Sequence, residues 1–130
     1  MSPLARISME NWMLNVFGMP LRPCATDPLT GFKRNGCCEE CEEDFGEHTI
    51  CVKMDEEFLL FLRQNGNDLI TPQLHIGFPG LLPGDHWCVC LTSWIEAETA
   101  GVKPEIDLNA THQSVLNLVP LSTLEIYALV

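Results

Sequence analysis

The chain is poor in positive charge. Seven Lys and Arg residues stand against eighteen Asp and Glu residues in 130 residues, which gives a formal net charge of −11. Nucleic-acid binding depends on Lys and Arg side chains that neutralise phosphates, so this composition argues against a nucleic-acid partner. It disfavours anionic membrane surfaces for the same reason. The negative net charge instead favours a basic protein partner or a bound cation.

Long apolar runs are also absent. The longest spans Phe58 to Leu62, far short of the ~18 consecutive apolar residues of a membrane helix. Residues 1–7 lack the apolar core of a signal peptide. We therefore predict a cytoplasmic protein without a membrane partner, whose thiols are reduced. Seven cysteines cannot all pair, so we expect buried side chains, ligands or reactive thiols rather than a disulfide framework.

Short strand and helix signals follow one another without a repeated βαβ rhythm, which predicts an α+β fold. Aromatic residues are few, but three tryptophans are large enough to anchor a core. We expect residues 1–10 to form a loosely ordered tail. Residues 11–130 should form a single compact α+β domain, with short strands in a small sheet, three to four short helices and long ordered loops.

Local patterns place several of these elements. A strand is predicted from His48 to Met54, and Asp55 should cap the helix that follows it. The next strand alternates, with Trp87 and Val89 on one face and the Cys88 and Cys90 side chains on the other. Ser93 and Glu96 have the spacing of a capping box, which predicts a helix from Trp94 to Ala100.

The densest chemistry lies between Gly36 and Cys51, a stretch with four cysteines, one histidine, six carboxylates and no Lys or Arg. Its Cys-x2-Cys and His-x2-Cys spacings are typical of a tetrahedral zinc site. The predicted ligands are Cys38, Cys41, His48 and Cys51, with Cys37 or Cys88 as members of a three-ligand variant. Cysteines that are merely buried or exposed are the alternative. The carboxylates form either a solvated acidic loop or a docking surface for a basic partner.

A thiol-dependent enzyme is a further possibility, because a cysteine nucleophile needs a histidine base and a carboxylate that orients it. Cys37 or Cys51 is the candidate thiol, although no known cysteine-hydrolase signature is present. Cys88 and Cys90 are metal ligands, a redox-sensitive pair or small core residues. The candidate bases and carboxylates are His48, His86, His112, Asp44 and Asp85.

Several phrases of the sequence occur together in one known family. They include Asp27–Phe32, Gly36–Cys38, Asp44–Cys51, Gly66–Pro72, Phe78–Leu81, Pro83–Cys90 and Ala110–His112. Over residues 14–128 the chain resembles the uncharacterised family called domain of unknown function 2237, found in bacteria and some eukaryotes. The resemblance implies no activity and no catalytic residue. That family usually has a small residue at Cys41 and Arg at Ser93, so a site that needs Cys41 is particular to this chain.

Three functions are compatible with these residues. The absence of a catalytic pattern favours a binding or interaction protein, with a basic protein or a small ligand as its partner. The alternatives are a zinc-binding protein and a thiol-dependent enzyme. Beyond the four zinc ligands, the candidate site residues are Cys37, Asp44, Asp85, Cys88, Cys90 and His112.

Overall fold

A computed structural model of the chain describes residues 13–44 and 46–129. The predicted tail, residues 1–10, lies outside this range. The described residues form a compact α+β fold with three strands and three α-helices, as the sequence predicts. The strands are β1 (His48–Lys53), β2 (His86–Cys90) and β3 (Glu105–Ile106). The helices are α1 (Glu56–Gln64), α2 (Leu91–Thr99) and α3 (Leu121–Ile126), and short 3-10 helices span Leu74–Ile76, Leu108–Ala110 and Gln113–Asn117.

The strands form one antiparallel sheet in the order β2-β1-β3. Along β1 and β2, alternate side chains enter two different clusters. Ile50, Val52, Trp87 and Val89 belong to the main apolar core, whereas Cys51 and Cys88 face a small second cluster on the other side. Cys51 and Cys88 lie directly opposite each other in the strand register. The predicted alternation of β2 is therefore confirmed.

Helix α1 begins as the sequence predicts. The Phe58 backbone N–H donates a hydrogen bond to Asp55 Oδ1 at 2.7 Å, which satisfies one of the N–H groups that lack an intrahelical acceptor. The apolar residues Phe58, Leu59 and Leu62 are buried on one side of the helix. Burial of this face in the main apolar core supplies the stability that a helix of nine residues lacks by itself.

Helix α2 begins three residues earlier than predicted. Cys90, the last residue of β2, is also the N-cap of α2, so no linking residue separates the strand from the helix. The backbone N–H of Leu91 donates to Glu47 O at 3.1 Å, and the Leu91 and Trp94 side chains are both buried. Ser93 lies inside the first turn, so the predicted cap at this residue is wrong.

Two disulfides hold a loop-rich segment over the second face of the sheet. Cys24 is bonded to Cys51, and Cys38 is bonded to Cys88. The described part of residues 21–47 contains no helix, and its only bridge is the isolated pair Thr26 and Leu29. The expectation of a chain without disulfides is therefore wrong, because the odd cysteine count excludes only complete pairing.

Three cysteines remain free, namely Cys37, Cys41 and Cys90. Among the described residues, none of the helices has the length and apolarity needed to cross a membrane. Cytoplasmic residence stays a prediction.

Candidate active site

The register of the sheet places Cys90 directly opposite His48. His48 begins β1 and Cys90 ends β2, and the two residues are cross-strand partners. Both side chains lie next to Gly46. A Cβ atom at Gly46 would lie 3.0 Å from His48 Cε1, 3.5 Å from His48 Nδ1 and 3.6 Å from Cys90 Sγ. The absence of a side chain at Gly46 therefore leaves room for the imidazole and the thiol on the same side of the sheet end.

A buried carboxylate fixes the imidazole of His48. Asp44 is 4% exposed, and its Oδ1 lies 2.7 Å from His48 Nδ1. Asp44 Oδ2 accepts the backbone N–H of His48, also at 2.7 Å. In a neutral imidazole whose Nδ1–H is donated to a carboxylate, the second ring nitrogen is a proton acceptor. The ring of Phe32 stacks on His48 at a centroid distance of 6.4 Å.

The thiol of Cys90 lies at the N-terminus of a helix. The first four N–H groups of a helix lack intrahelical acceptors and carry partial positive charge, which favours a nearby anion. In α2, the N–H of Leu91 is bonded to Glu47 O, and those of Thr92 and Ser93 follow it in the first turn. Cys90 Sγ lies 3.1 Å from Thr92 Oγ1. The Cys90 thiol thus lies next to the helix end, and its hydrogen-bond partner is the Thr92 hydroxyl.

His48 and Cys90 both line a cavity of about 240 Å³. The rest of its lining is partly apolar, with Ile76, Phe78 and Trp87, and partly polar, with Asn67, Asp68 and Gln73. Arg34 also lines this cavity, and its guanidinium carbon lies 5.3 Å from the centroid of the Trp87 ring. Within the described part of the chain, no carboxylate forms a salt bridge with Arg34. The cavity therefore combines a thiol, an imidazole, the Asp68 carboxylate and the exposed Arg34 guanidinium.

The four predicted zinc ligands do not converge. Cys38 and Cys51 are held in separate disulfides, so neither has a free thiolate in this structure. The Cys41 thiol donates to Glu43 Oε2 at 2.7 Å, and His48 is bonded to Asp44. Over residues 13–44 and 46–129, the groups whose ligand atoms lie within 4.8 Å of one another are Cys24 with Cys38 and Cys88, and Cys51 with His86 and Asp107. These two groups could hold a metal ion, and they share only Cys38 and Cys51 with the predicted set.

The other candidate residues have local structural contacts. Asp85 Oδ2 accepts the backbone N–H of Leu82 at 2.9 Å, which closes the turn before β2. His112 is 2% exposed, and its Nδ1 accepts the Ser114 backbone N–H at 3.0 Å, which caps the 3-10 helix Gln113–Asn117. Neither residue lines the cavity that holds Cys90.

The two remaining free thiols are held in their protonated form. Burial, together with the Glu39 carboxylate, raises the pKa of Cys37 above its ordinary value. The hydrogen bond to Glu43 raises the pKa of Cys41. The predicted nucleophiles, Cys37 and Cys51, are thus a thiol with a raised pKa and a disulfide sulfur. The sequence points to His48 and Asp44, and it includes Cys90 as a metal ligand, a member of a redox-sensitive pair or a core residue rather than as a nucleophile.

A larger cavity of about 490 Å³ is lined by Asp44 together with other acidic residues. Its carboxylates belong to Glu40, Glu42, Asp44 and Glu47, and the rest of its wall includes Ser114 and Asn117. The basic protein partner predicted from the sequence would bind at this acidic surface. That partner stays a prediction.

Comparison with known families gives one match. The model of the family described as "Uncharacterized protein conserved in bacteria (DUF2237)" matches residues 14–128. The match covers nearly the whole chain and confirms the resemblance seen in its sequence phrases. No curated protein matches the chain.

Proposed function

This chain belongs to the DUF2237 family, whose description names no activity, and we propose that it is a thiol-dependent hydrolase of small acyl compounds. Cys90 is the nucleophile, His48 is the general base and Asp44 orients the imidazole. One observation carries the proposal: the register of β1 and β2 brings Cys90 and His48 together beside Gly46, while Asp44 bonds the Nδ1 of His48. A thiol, a base and a third group that orients the base are the parts that nucleophilic catalysis by cysteine requires.

The reaction follows from these roles. His48 takes the thiol proton as the Cys90 sulfur attacks the carbonyl carbon of an ester or thioester. The bond from that carbon to the leaving group breaks, and the leaving group takes the proton from His48. Water then attacks the S-acyl carbon and gives a proton to His48. The carbon–sulfur bond breaks, the proton returns to Cys90, and a carboxylic acid leaves. The N–H of Leu91 is occupied by Glu47 O, so the N–H groups of Thr92 and Ser93 supply the donors for the oxyanion that forms in both steps.

Arg34 points to the substrate class. Its guanidinium stacks on Trp87 in the same cavity as Cys90 and has no salt bridge to a carboxylate of the described chain. An arginine in this position suits a carboxylate or phosphate, because its planar fork of donors matches both groups. The cavity, at about 240 Å³, is smaller than the sites that hold drug-sized ligands. We propose a short acyl chain with an anionic group at its far end.

A binding protein without catalysis is the second candidate, and Arg34 favours it as well. In that case the cavity holds a small anionic ligand, and Cys90 forms no acyl intermediate. The two candidates differ in a measurable way, because only the enzyme releases the leaving group of an ester with turnover.

The test uses the full chain without reductant and two 4-nitrophenyl esters, one of succinate and one of neutral butyrate. We expect release of 4-nitrophenol and an S-acyl adduct on the peptide that contains Cys90, detected by mass spectrometry. Cys90→Ala should abolish both signals. Cys41→Ala is the matched control, because it removes a free thiol outside this cavity and should leave both signals unchanged.

Unchanged turnover in the Cys90→Ala variant would sink the enzyme proposal. Binding of succinate by calorimetry, with no release of nitrophenol from either ester, would support the binding protein instead. Absence of both binding and turnover would contradict both candidates.

A further inference from the structure

Four buried cysteine sulfurs converge in the small second cluster beside the sheet. One of these residues, Cys88, also lines the cavity of Cys90. The Sγ atoms of Cys24, Cys38 and Cys88 all lie within 4.8 Å of one another. The fourth sulfur, that of Cys51, is bonded to Cys24. Cys38 and Cys51 are fully buried, and Cys88 and Cys24 are 1% and 7% exposed. Ala110 is the other member of this small cluster.

This arrangement is close to that of a tetrahedral metal site. Zinc–sulfur bonds of about 2.3 Å place the sulfurs of a four-cysteine site about 3.8 Å apart. Three of the sulfurs already lie within 4.8 Å of one another, so rotations of the side chains, rather than movement of the backbone, would bring them to zinc. The four residues also exclude water, which is typical of closed structural zinc sites.

The backbone around the cluster is fixed by bonds other than the disulfides. Cys51 and Cys88 are opposite each other on β1 and β2, and the backbone N–H of each donates to the hydroxyl of a buried threonine. The Cys88 N–H donates to Thr30 Oγ1 at 2.8 Å, and the Cys51 N–H donates to Thr111 Oγ1 at 3.1 Å. The Cys24 N–H donates to Gly36 O at 2.6 Å. These bonds would therefore keep Cys24, Cys51 and Cys88 near their present positions after reduction, and Cys38 lies two residues after Gly36, whose carbonyl accepts the Cys24 N–H.

We propose that Cys24, Cys38, Cys51 and Cys88 form a zinc site when a dithiol reduces both disulfides. Each disulfide takes two electrons and two protons from one dithiol, which becomes a disulfide itself. Zinc then binds the four sulfurs as thiolates, and their protons pass to solvent. The loop-rich segment is held to the sheet by disulfides in the oxidised state and by zinc in the reduced state. This proposal uses neither Cys90 nor His48, so it stands apart from the hydrolase proposal.

A competing site would use a different group. His86 and Asp107 have ligand atoms within 4.8 Å of Cys51 Sγ, and both residues are half-buried. Reduction frees Cys51 for this group too. A site of one thiolate, one imidazole and one carboxylate leaves a fourth position open, whereas the four-cysteine site is closed. The two sites are separated by their dependence on His86 and Cys38.

The experiment compares the full chain reduced by a phosphine with the untreated chain. Zinc per chain is measured after dialysis against a weak chelator, and cobalt is added in parallel because its absorption bands report tetrahedral sulfur ligation. We expect one zinc per reduced chain and none per oxidised chain. Cys38→Ser should weaken zinc binding by more than ~100-fold, the upper range for loss of a group that merely supports a ligand. Cys41→Ser and His86→Ala are the controls and should retain one zinc.

Several outcomes overturn the proposal. A reduced chain that binds no zinc would overturn it. Equal zinc affinity of the Cys38→Ser variant and the wild-type chain would also overturn it and would indicate that zinc binds at the acidic surface. Loss of zinc in His86→Ala would indicate the competing site. If Cys38→Ser does not fold, mass spectrometry of the reduced wild-type chain decides the matter. Zinc must then protect the four clustered thiols from alkylation and leave Cys37, Cys41 and Cys90 open to it.

Discussion

The Asp44 carboxylate binds His48 through both of its oxygens, one on the Nδ1 of the ring and one on the backbone N–H of the same residue. The ring orientation and the start of β1 are therefore set by a single buried side chain. His48 keeps 39% of its side-chain surface exposed, while that of Asp44 is 1% exposed. The buried partner fixes the imidazole, and the exposed part of the ring is available to Cys90 and to a ligand.

Asp44→Asn should lower ester turnover by at least about 100-fold, because an amide cannot stabilise a protonated imidazole as a carboxylate does, and general base catalysis contributes ~10²–10⁴-fold. Stopped-flow release of 4-nitrophenol measures the change. Glu42→Gln removes an exposed carboxylate close by and is the control. Equal losses in both variants would mean that overall charge, rather than the bond to His48, matters.

Alkylation of the oxidised chain at pH 7 should modify Cys90 first. Raised pKa values keep the Cys37 and Cys41 thiols protonated, and only the thiolate reacts. Cys90 instead lies at the N-terminus of α2, and its thiol bonds the Thr92 hydroxyl rather than a carboxylate. Peptide mass spectrometry over time, with substoichiometric iodoacetamide, measures the order. Faster labelling of Cys37 or Cys41 would contradict the assignment of Cys90.

Glu43→Gln should speed the alkylation of Cys41 at pH 7 by up to about tenfold. The hydrogen bond from the Cys41 thiol to the Glu43 carboxylate raises the pKa of Cys41, so removal of the negative charge lowers that pKa and increases the thiolate fraction. The rate at Cys37 serves as the internal control, because its pKa is raised by burial and Glu39. A slower rate of alkylation at Cys41 would show that Glu43 does not raise the pKa of this thiol.

Arg34→Gln should raise the KM for the succinate ester by about 10- to 100-fold and leave that for the butyrate ester unchanged. The reason is loss of a charged hydrogen bond to the far end of the substrate, worth ~1.5–3 kcal/mol. Lys33→Gln removes the same charge from the neighbouring residue, outside the cavity, and is the control. A parallel rise for both esters would show that Arg34 only supports Trp87.

Replacing both cysteines of either disulfide by alanine should lower the free energy of unfolding by ~2–4 kcal/mol. The loop between Cys24 and Cys51 spans 27 residues and that between Cys38 and Cys88 spans 50, so the second pair should have the slightly larger effect. Urea unfolding without reductant measures both. Cys90→Ala should change the free energy by less than ~1 kcal/mol, since Cys90 is a half-buried free thiol. Equal destabilisation by Cys90→Ala would argue against this account.

The fold was largely predictable because its patterns are local. The alternation of residues in β2 and the cap of Asp55 on α1 both occur within a few residues, and the structure confirms them. The start of α2 was not predictable from its capping box, because packing of Leu91 and Trp94 outweighs a cap at Ser93. A local propensity is a weak guide where buried apolar residues decide the helix boundary.

The site was only partly predictable because its parts come from distant segments. Asp44 and His48 are four residues apart, but Cys90 joins them through strand pairing that sequence spacing does not encode. A regular register with Cys51 opposite Cys88 would pair Cys90 with Thr49, and a register shift between His48 and Ile50 pairs Cys90 with His48 instead. The disulfide partners are 27 and 50 residues apart, and the cysteine count alone leaves many pairings open.

The direct passage from β2 into α2 has a consequence for how this chain can change. A single residue inserted between Cys90 and Leu91 would rotate the helix by about 100° relative to the strand, because an α-helix has 3.6 residues per turn. Leu91, Trp94 and Ala97 would then leave the core, and no loop could absorb the error. The length of the chain at this point is therefore tied to core packing. Insertions and deletions should be confined to other segments, and the thiol should keep its place at the start of the helix wherever this fold is retained.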